Sequence, residues 1–291
     1  MTTPSFDGLR VLALESRRAT EVAALITTYG GVPIVAPALR EVPLESNVEA
    51  LAFADALIRG EFDFAIFLTG VGTRALFDVV QRSRDAETFT QALAKTRVVA
   101  RGPKPLAMLR ALGVPVWVTA PEPNTWRELL AAIDTAIGSA IDTGAGKPLL
   151  RGAGVAVQEY GVSNLELLEA LRARGARVTP VPVYRWALPE DVGPLNDAVG
   201  ALARGELDVA IFTTGVQVVH LWQVAKETGA EDAVQRALSR VVIASIGPTT
   251  SEELLRHGLT ADIEPTHPKI GFLIRETAEK AGALLRTKRV G

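Results

Sequence analysis

The residues of this chain best placed to do chemistry sit in glycine turns between an apolar run and a helix. Arg101-Gly-Pro-Lys104 follows Arg97-Val-Val-Ala100, and Gly247-Pro-Thr-Thr250 follows Val241 to Ile246. Glycine permits the tight turn and proline suits the first helical position, which is a sufficient structural reason for the pair. The same turn can present free N–H groups at the positive end of a helix, an anion site for carboxylate or phosphate. Arg101 and Lys104 in one turn, and the hydroxyls of Thr249 and Thr250 in the other, favour a ligand surface.

A second candidate, Gly70-Val-Gly-Thr-Arg-Ala75, matches the G-x-G-x-x-A form of a dinucleotide turn after a strand. No acidic residue closes it, and the next strand starts only near Arg97. The related stretch Gly215-Val-Gln-Val-Val-His220 lacks the glycine pattern, so an NADP-dependent oxidoreductase is the third choice. His220, His257 and His267 are not at metal-ligand spacing, which leaves them surface or helix-end roles. No G-x-S-x-G elbow supports a hydrolase triad. Tyr184 lies in a proline-flanked extended segment, where packing is the plain reading of a tyrosine. Its counterpart in the repeat described next is Leu39, so a symmetric structural role does not require its hydroxyl.

The elements that position these residues come in two similar series. Asp63-Phe-Ala-Ile-Phe-Leu-Thr-Gly-Val71 returns 145 residues later as Asp208-Val-Ala-Ile-Phe-Thr-Thr-Gly-Val216. Without a gap, the same offset relates Gly102-Pro103 to Gly247-Pro248, Gly113 to Gly258, Gly30 to Gly175, and Ala56–Glu61 to Ala201–Glu206. It also relates Pro37-Ala-Leu-Arg40 to Pro182-Val-Tyr-Arg185. This reads as an internal duplication of one α/β unit, too long a period for a solenoid. Apolar runs at Leu9–Leu14, Asp63–Leu68, Arg97–Ala100, Val114–Thr119, Val155–Gln158, Asp208–Thr214 and Val241–Ile246 predict strands. Helical spacing separates them, with Val22, Leu25, Ile26 and Tyr29 on one face. Thr125-Trp-Arg-Glu128 predicts a capping box opening a helix to about Ile137, and Phe272 to Arg286 predicts the closing helix. Strands alternating with helices imply parallel sheets whose ligands sit beyond the carboxyl ends of the strands. The segments Val32–Leu44 and Val178–Leu188 carry prolines that remove ladder donors, so each is an edge strand or a crossing connection. Gly144-Ala-Gly-Lys-Pro148 separates the halves.

Composition narrows the function classes. A chain of 291 residues with 48% hydrophobic content supports two domains of ordinary size. A net charge of −2 predicts no broad nucleic-acid footprint. With no cysteine, disulfides, thiolate nucleophiles and Cys-ligated metals are excluded. No apolar run approaches the ~20 residues of a membrane span, and no signal peptide is evident at the start, so a cytoplasmic protein is expected.

The ordered set Leu68-Thr-Gly-Val-Gly72, Val181-Pro-Val-Tyr-Arg185, Ile211-Phe-Thr-Thr-Gly215 and Ala244-Ser-Ile-Gly-Pro-Thr-Thr250 resembles uroporphyrinogen-III synthase over essentially the whole chain. The resemblance implies two α/β domains, about 1–39 with 186–291 and about 40–185, joined by two antiparallel connecting strands. Substrate would bind in the interdomain cleft. The implied reaction closes hydroxymethylbilane, a linear tetrapyrrole octacarboxylate, with inversion of its last pyrrole, and uses no metal or organic cofactor. Tyr184 matches the tyrosine implicated in that family. Substrate carboxylates would meet backbone N–H groups at Thr69, Gly70, Gly102, Thr214, Gly215 and Thr249, beside Gly247 and Thr250, with Arg17, Arg18, Arg101 and Lys104 supplying charge. Lys104 departs from the small or hydroxyl residue that some members carry there. A monomer acting on a small molecule is expected, without nucleic-acid or membrane partners. The alternative is a non-catalytic two-domain module that senses a tetrapyrrole or other polyanion. Members fused to regulatory domains exist, and no added domain is expected after Arg289.

Overall fold

Fully buried apolar tetrads set the two main sheets. The computed structural model describes residues 3–43, 47–142, 150–159, 161 and 163–290. In chain order the elements are β1 Arg10–Ala13, α1 Ala19–Thr28, β2 Val32–Val35, β3 Arg40–Pro43, α2 Val48–Ile58, β4 Phe64–Phe67, α3 Gly70–Gln81 and α4 Ala86–Ala94. Then come β5 Arg97–Ala100, α5 Pro103–Ala111, β6 Val118–Thr119, α6 Trp126–Asp142, β7 Gly154–Gln158, α7 Leu165–Ala173, β8 Arg177–Val181 and β9 Tyr184–Ala187. The remainder is α8 Gly193–Ala203, β10 Val209–Phe212, α9 Gly215–Glu227, α10 Glu231–Leu238, β11 Val242–Ser245, α11 Pro248–Arg256 and α12 Ile270–Val290.

The fold is α/β with parallel sheets. The chain divides into two compact units, Met1–Arg40 with Ala187–Gly291, and Glu41–Trp186. The first holds a four-stranded parallel sheet ordered β11-β10-β1-β2, and the second a five-stranded parallel sheet ordered β6-β5-β4-β7-β8. Successive strand side chains point to opposite faces, and in both sheets helices cover both faces. Thus Ala65 and Phe67 of β4 join the cluster around Phe53, Leu76 and Phe89, while Phe64 and Ile66 join the cluster around Leu129, Ile133 and Leu171. In β10, Ala210 and Phe212 face Leu202, Leu221 and Val234, and Val209 and Ile211 face Ile26, Leu273 and Ile274. Burying each such large side chain contributes about 1.5–3 kcal/mol.

The aspartates that open the repeated stretches tie central strands together. The Asp63 carboxylate accepts the Gly154 N–H at 2.8 Å, and Asp208 accepts the Arg10 N–H at 2.7 Å. Each aspartate's backbone carbonyl also accepts the N–H of the residue leading into the other flanking strand, Arg97 or Val242, at 3.0 Å.

Each proline-rich segment holds two short strands. Val32–Val35 and Arg177–Val181 are edge strands of their sheets, while β3 and β9 pair in a separate two-stranded sheet where the chain passes between units. Pro33 and Pro180 are tolerated because an edge strand has one unpaired side. Leu44 and the Gly144–Pro148 stretch lie outside the described residues.

Two expectations need correction. Val114–Thr119 yields only a two-residue strand, since Pro115 cannot donate to a ladder and pairing starts at Val118. The helix at Trp126 runs to Asp142, well past Ile137. Its start is a capping box, with the Thr125 N–H donating to Glu128 Oε2 at 2.9 Å and the Thr125 hydroxyl accepting from the Arg127 N–H at 3.2 Å.

Candidate functional site

In the Glu41–Trp186 unit, β4 and β5 are neighbours, so the helices leaving their carboxyl ends start side by side. A Cβ on Gly70 would lie 2.9 Å from the Lys104 carbonyl, a backbone approach that only glycine permits. The structure therefore brings Thr69, Gly70, Arg101, Gly102 and Lys104 together. Thr69 is the N-cap of α3, its hydroxyl accepting the Gly72 N–H at 3.0 Å. The first-turn N–H groups of Gly70 and Val71 take no partner among the described residues, the condition for an anion site at a helix N-terminus. Lys104 is exposed and Arg101 half-buried.

The Thr69 amide, an expected donor, is already engaged, and so is that of Gly247. The Thr69 N–H points to Gln158 Oε1 at 3.5 Å, and the Gly247 N–H to Ser245 Oγ at 3.4 Å. Pro103 and Pro105 remove two donors from the first turn of α5, leaving Lys104 as its only N–H there. Gly102 is buried against the Asn124 side-chain amide, 2.8 Å from where its Cβ would stand, so packing also requires glycine at that position.

In the other unit, Thr214 is the N-cap of α9 and Gly247 that of α11, on adjacent strands β10 and β11. A Cβ on Gly215 would lie 3.8 Å from the Thr249 carbonyl, so Thr214, Gly215, Gly247 and Thr249 converge. Thr249 is exposed, whereas Thr250 is buried and its N–H returns to the Gly247 carbonyl at 3.0 Å. Thr250 thus faces the fold interior, because a residue three past the cap closes the first turn. Arg17 and Arg18 follow β1 at the same sheet end and are exposed. The Arg18 guanidinium is held by Glu21, its Nε donating at 2.7 Å, so its charge is shared with a carboxylate that is held below the usual range by that bond.

Tyr184 sits on the crossing strand β9. It is buried within the cluster of the Glu41–Trp186 unit and meets Trp186 edge-on, ring centroids 5.5 Å apart. Its ring therefore packs, as the plain reading expects. Leu39 is equally buried, so the hydroxyl rather than the burial separates the two positions.

His220 is not a surface residue. It is buried on α9, and its Nδ1–H donates to the Ala38 carbonyl at 2.6 Å, fixing the chain just before β3. His257 caps α11 as expected, and His267 is exposed. Among the described residues, no His, Asp and Glu group could hold a metal ion, and no helix is long and apolar enough to cross a membrane.

Sequence reasoning missed a buried polar pair at the carboxyl end of β7. Gln158 is 2% exposed, and its amide fills the space where a side chain at Gly72 would stand. Glu159 follows at 7% exposure, and its Oε1 is buried with no hydrogen-bond partner. Burial pushes the Glu159 carboxyl upward, while a hydrogen bond from the Ser163 side chain pulls it back. Two polar residues directly after Val155-Ala-Val157, at the end of the sheet where ligands bind, were the available signal. In the other unit Glu15, after β1, accepts the Thr213 hydroxyl at 2.6 Å and is thereby satisfied.

The profile of the family described as uroporphyrinogen-III synthase HemD matches residues 20–275. The chain belongs to the uroporphyrinogen-III synthase family. Its relatives include the Bacillus subtilis protein YjjA, itself uncharacterized, 28% identical over 94% of this chain and 96% of that one. A Methanothermobacter thermautotrophicus protein, provisionally named a uroporphyrinogen-III synthase, is 31% identical over 91% of this chain and 95% of its own. The crystal structure of a mutant uroporphyrinogen III synthase from the extremely thermophilic bacterium Thermus thermophilus superposes with a TM-score of 0.70. It is 27% identical and covers 97% of this chain and 100% of that one. The family is one of lyases in tetrapyrrole biosynthesis, and the α/β fold with parallel sheets agrees with it.

Proposed function

We propose that this chain is an active uroporphyrinogen-III synthase, cyclising hydroxymethylbilane with inversion of the terminal pyrrole. What supports this most is the family match across residues 20–275, taken with the helix N-termini gathered at the carboxyl ends of each parallel sheet, among them the unpartnered Gly70 and Val71 amides of α3. A flexible octacarboxylate presents the groups that such N-termini attract. The α3 amides of Gly70 and Val71, with Arg101 and Lys104 beside them, hold substrate carboxylates. The α9 and α11 starts around Thr214, Gly215 and Thr249, with Arg17 and Arg18, hold others.

Departure of the terminal hydroxyl breaks its C–O bond, and the Tyr184 phenol supplies the proton that turns it into water. The ring nitrogen's electrons fill the vacated carbon to give an electrophilic azafulvenium. Attack by a substituted pyrrole carbon gives a spiro intermediate, which fragments and recloses with the ring inverted. The proton lost at the final aromatisation returns to the Tyr184 oxygen. Closure without inversion occurs in solution, so the protein's main contribution is to hold the chain in one fold. Acid assistance from Tyr184 adds to it.

The test is the rate of hydroxymethylbilane consumption with catalytic amounts of protein. Ring product formed over many turnovers, faster than the spontaneous reaction, is expected. Saturable binding of the tetrapyrrole at the spontaneous rate would instead make the chain a sensor module.

A further inference from the structure

Glu159 is a buried acid that neither the packing nor the proposed reaction has yet employed. It stands one residue beyond β7, whose register pairs Gln158 with Phe67 of β4, so it belongs to the sheet end from which α3 departs. Its backbone is fixed, the N–H donating to the Val181 carbonyl at 3.0 Å and the carbonyl accepting from the Gln158 amide. Its side chain is withdrawn from solvent, with the residue at 7% exposure, yet Oε1 has no donor facing it. A carboxylate so placed is costly unless something supplies the missing N–H or positive charge. Among buried side-chain atoms of the described residues this oxygen alone is left without a partner. The Gly70 and Val71 amides at the same sheet end suit the substrate's carboxylates, and an orphan acceptor suits its opposite chemistry.

We propose that Glu159 is a substrate-contacting residue, its carboxylate accepting a pyrrole N–H of the bound tetrapyrrole and stabilising the positive charge that spreads onto that ring as the hydroxyl leaves. This rests on the synthase reading. In the step itself the C–O bond breaks, its electron pair leaves with oxygen, and the proton from Tyr184 completes water. The pyrrole nitrogen keeps its proton and directs it at Glu159, so no proton is transferred to the carboxylate and no oxidant or reductant is needed. Turning the carboxylate about its last torsion, which has a broad and shallow profile, exchanges its two oxygens between Ser163 and the ligand.

The experiment compares Glu159→Gln and Glu159→Leu with the wild type in hydroxymethylbilane turnover, with kcat and KM separated and melting temperature recorded. Gln keeps a carbonyl acceptor but no charge, so kcat should fall about 10- to 100-fold, in line with a charge-assisted hydrogen bond, while KM stays nearly unchanged. Leu loses the acceptor too, so KM should rise as well, although the melting temperature should increase because an unpaired buried carboxylate is gone. A Leu variant that is more stable with kcat and KM unchanged would make Glu159 a purely structural residue and overturn the proposal. If Leu fails to fold, the kcat-against-KM pattern of Gln decides alone, and an unchanged kcat overturns it. A wild-type chain that does not accelerate turnover would overturn the synthase reading, and the Glu159 role with it. That outcome is distinct from an active wild type with indifferent variants.

Discussion

Gly72→Ala adds one methyl group, and the structure says where it goes. The new Cβ would stand 2.1 Å from Gln158 Nε2, 2.6 Å from its Cδ and 2.9 Å from its Oε1, so the amide has to leave. Gln158 is 2% exposed, and moving it breaks its bond to the Glu159 carbonyl and its longer contact with the Thr69 N–H. Losing these contacts costs about 1 kcal/mol each, and a stranded buried amide adds about 1–3 kcal/mol. Ala in place of Gly within a helix returns about 0.5–1 kcal/mol. The net expectation is a loss of about 2–4.5 kcal/mol. The other unit indicates the rescue: at the 145-residue offset Gly72 corresponds to Gln217 and Gln158 to Ala13. There the glutamine comes from the helix, its Oε1 accepting the Thr213 N–H at 2.7 Å. Gly72→Ala combined with Gln158→Ala should therefore lose less than the sum of the two single changes. Denaturant unfolding followed by tryptophan fluorescence is the assay, because Trp117, Trp126 and Trp186 all lie in the Glu41–Trp186 unit. A midpoint shift at constant slope reads the stability change. A Gly72→Ala variant as stable as the wild type, or a strictly additive double variant, would refute the reasoning.

Three further outcomes follow from the same geometry. Tyr184→Phe keeps the edge-on contact with Trp186 and should leave the fold intact while slowing inversion, at or below the low end of the ~10²–10⁴-fold typical of a lost general acid; a kinetic assay with an unchanged rate would return Tyr184 to packing alone. Neutralising Arg101 and Lys104 together should raise KM at low salt, and the difference should shrink as salt rises because these charges are screened; an unchanged low-salt KM would remove them from the site. The Glu159 carboxyl has its pKa raised in the folded protein, so the stability it contributes is full below its ordinary value of 4.5 and lost as pH rises through the folded value. The melting-temperature advantage of Glu159→Leu over the wild type should accordingly be least below that pH and grow above it, and an advantage independent of pH would contradict the assignment.

The strand and helix plan was legible because continuous apolar tetrads and helical spacing are local signals. Phe64–Phe67 and Val209–Phe212 announce buried parallel strands without any knowledge of what covers them. The helices after the two Thr-Gly-Val turns were legible in place but not in start: the sequence suggests Thr73–Val80 and Val218–Ala225, whereas α3 and α9 begin at Gly70 and Gly215. What the sequence did not show depends on neighbours distant along the chain. His220 looked like a surface residue until Ala38 was placed against it, and the need for glycine at position 72 appears only when Gln158 arrives from β7. Glu159 stayed hidden because its interest lies in a missing partner, which no linear pattern records. The division of each proline-rich segment into an edge strand and a second strand in a separate small sheet likewise depended on which sheet had an edge to offer.

The central claim is that the chain turns the terminal ring over rather than merely binding or closing its substrate. Hydroxymethylbilane carrying an isotopic label on the last pyrrole, converted by the protein and analysed by product isomer, tests it most directly. The account predicts that the ring product is predominantly the type III isomer, with the labelled ring inverted. Product made up of the non-inverted isomer that forms spontaneously, whatever the amount of protein added, would contradict it.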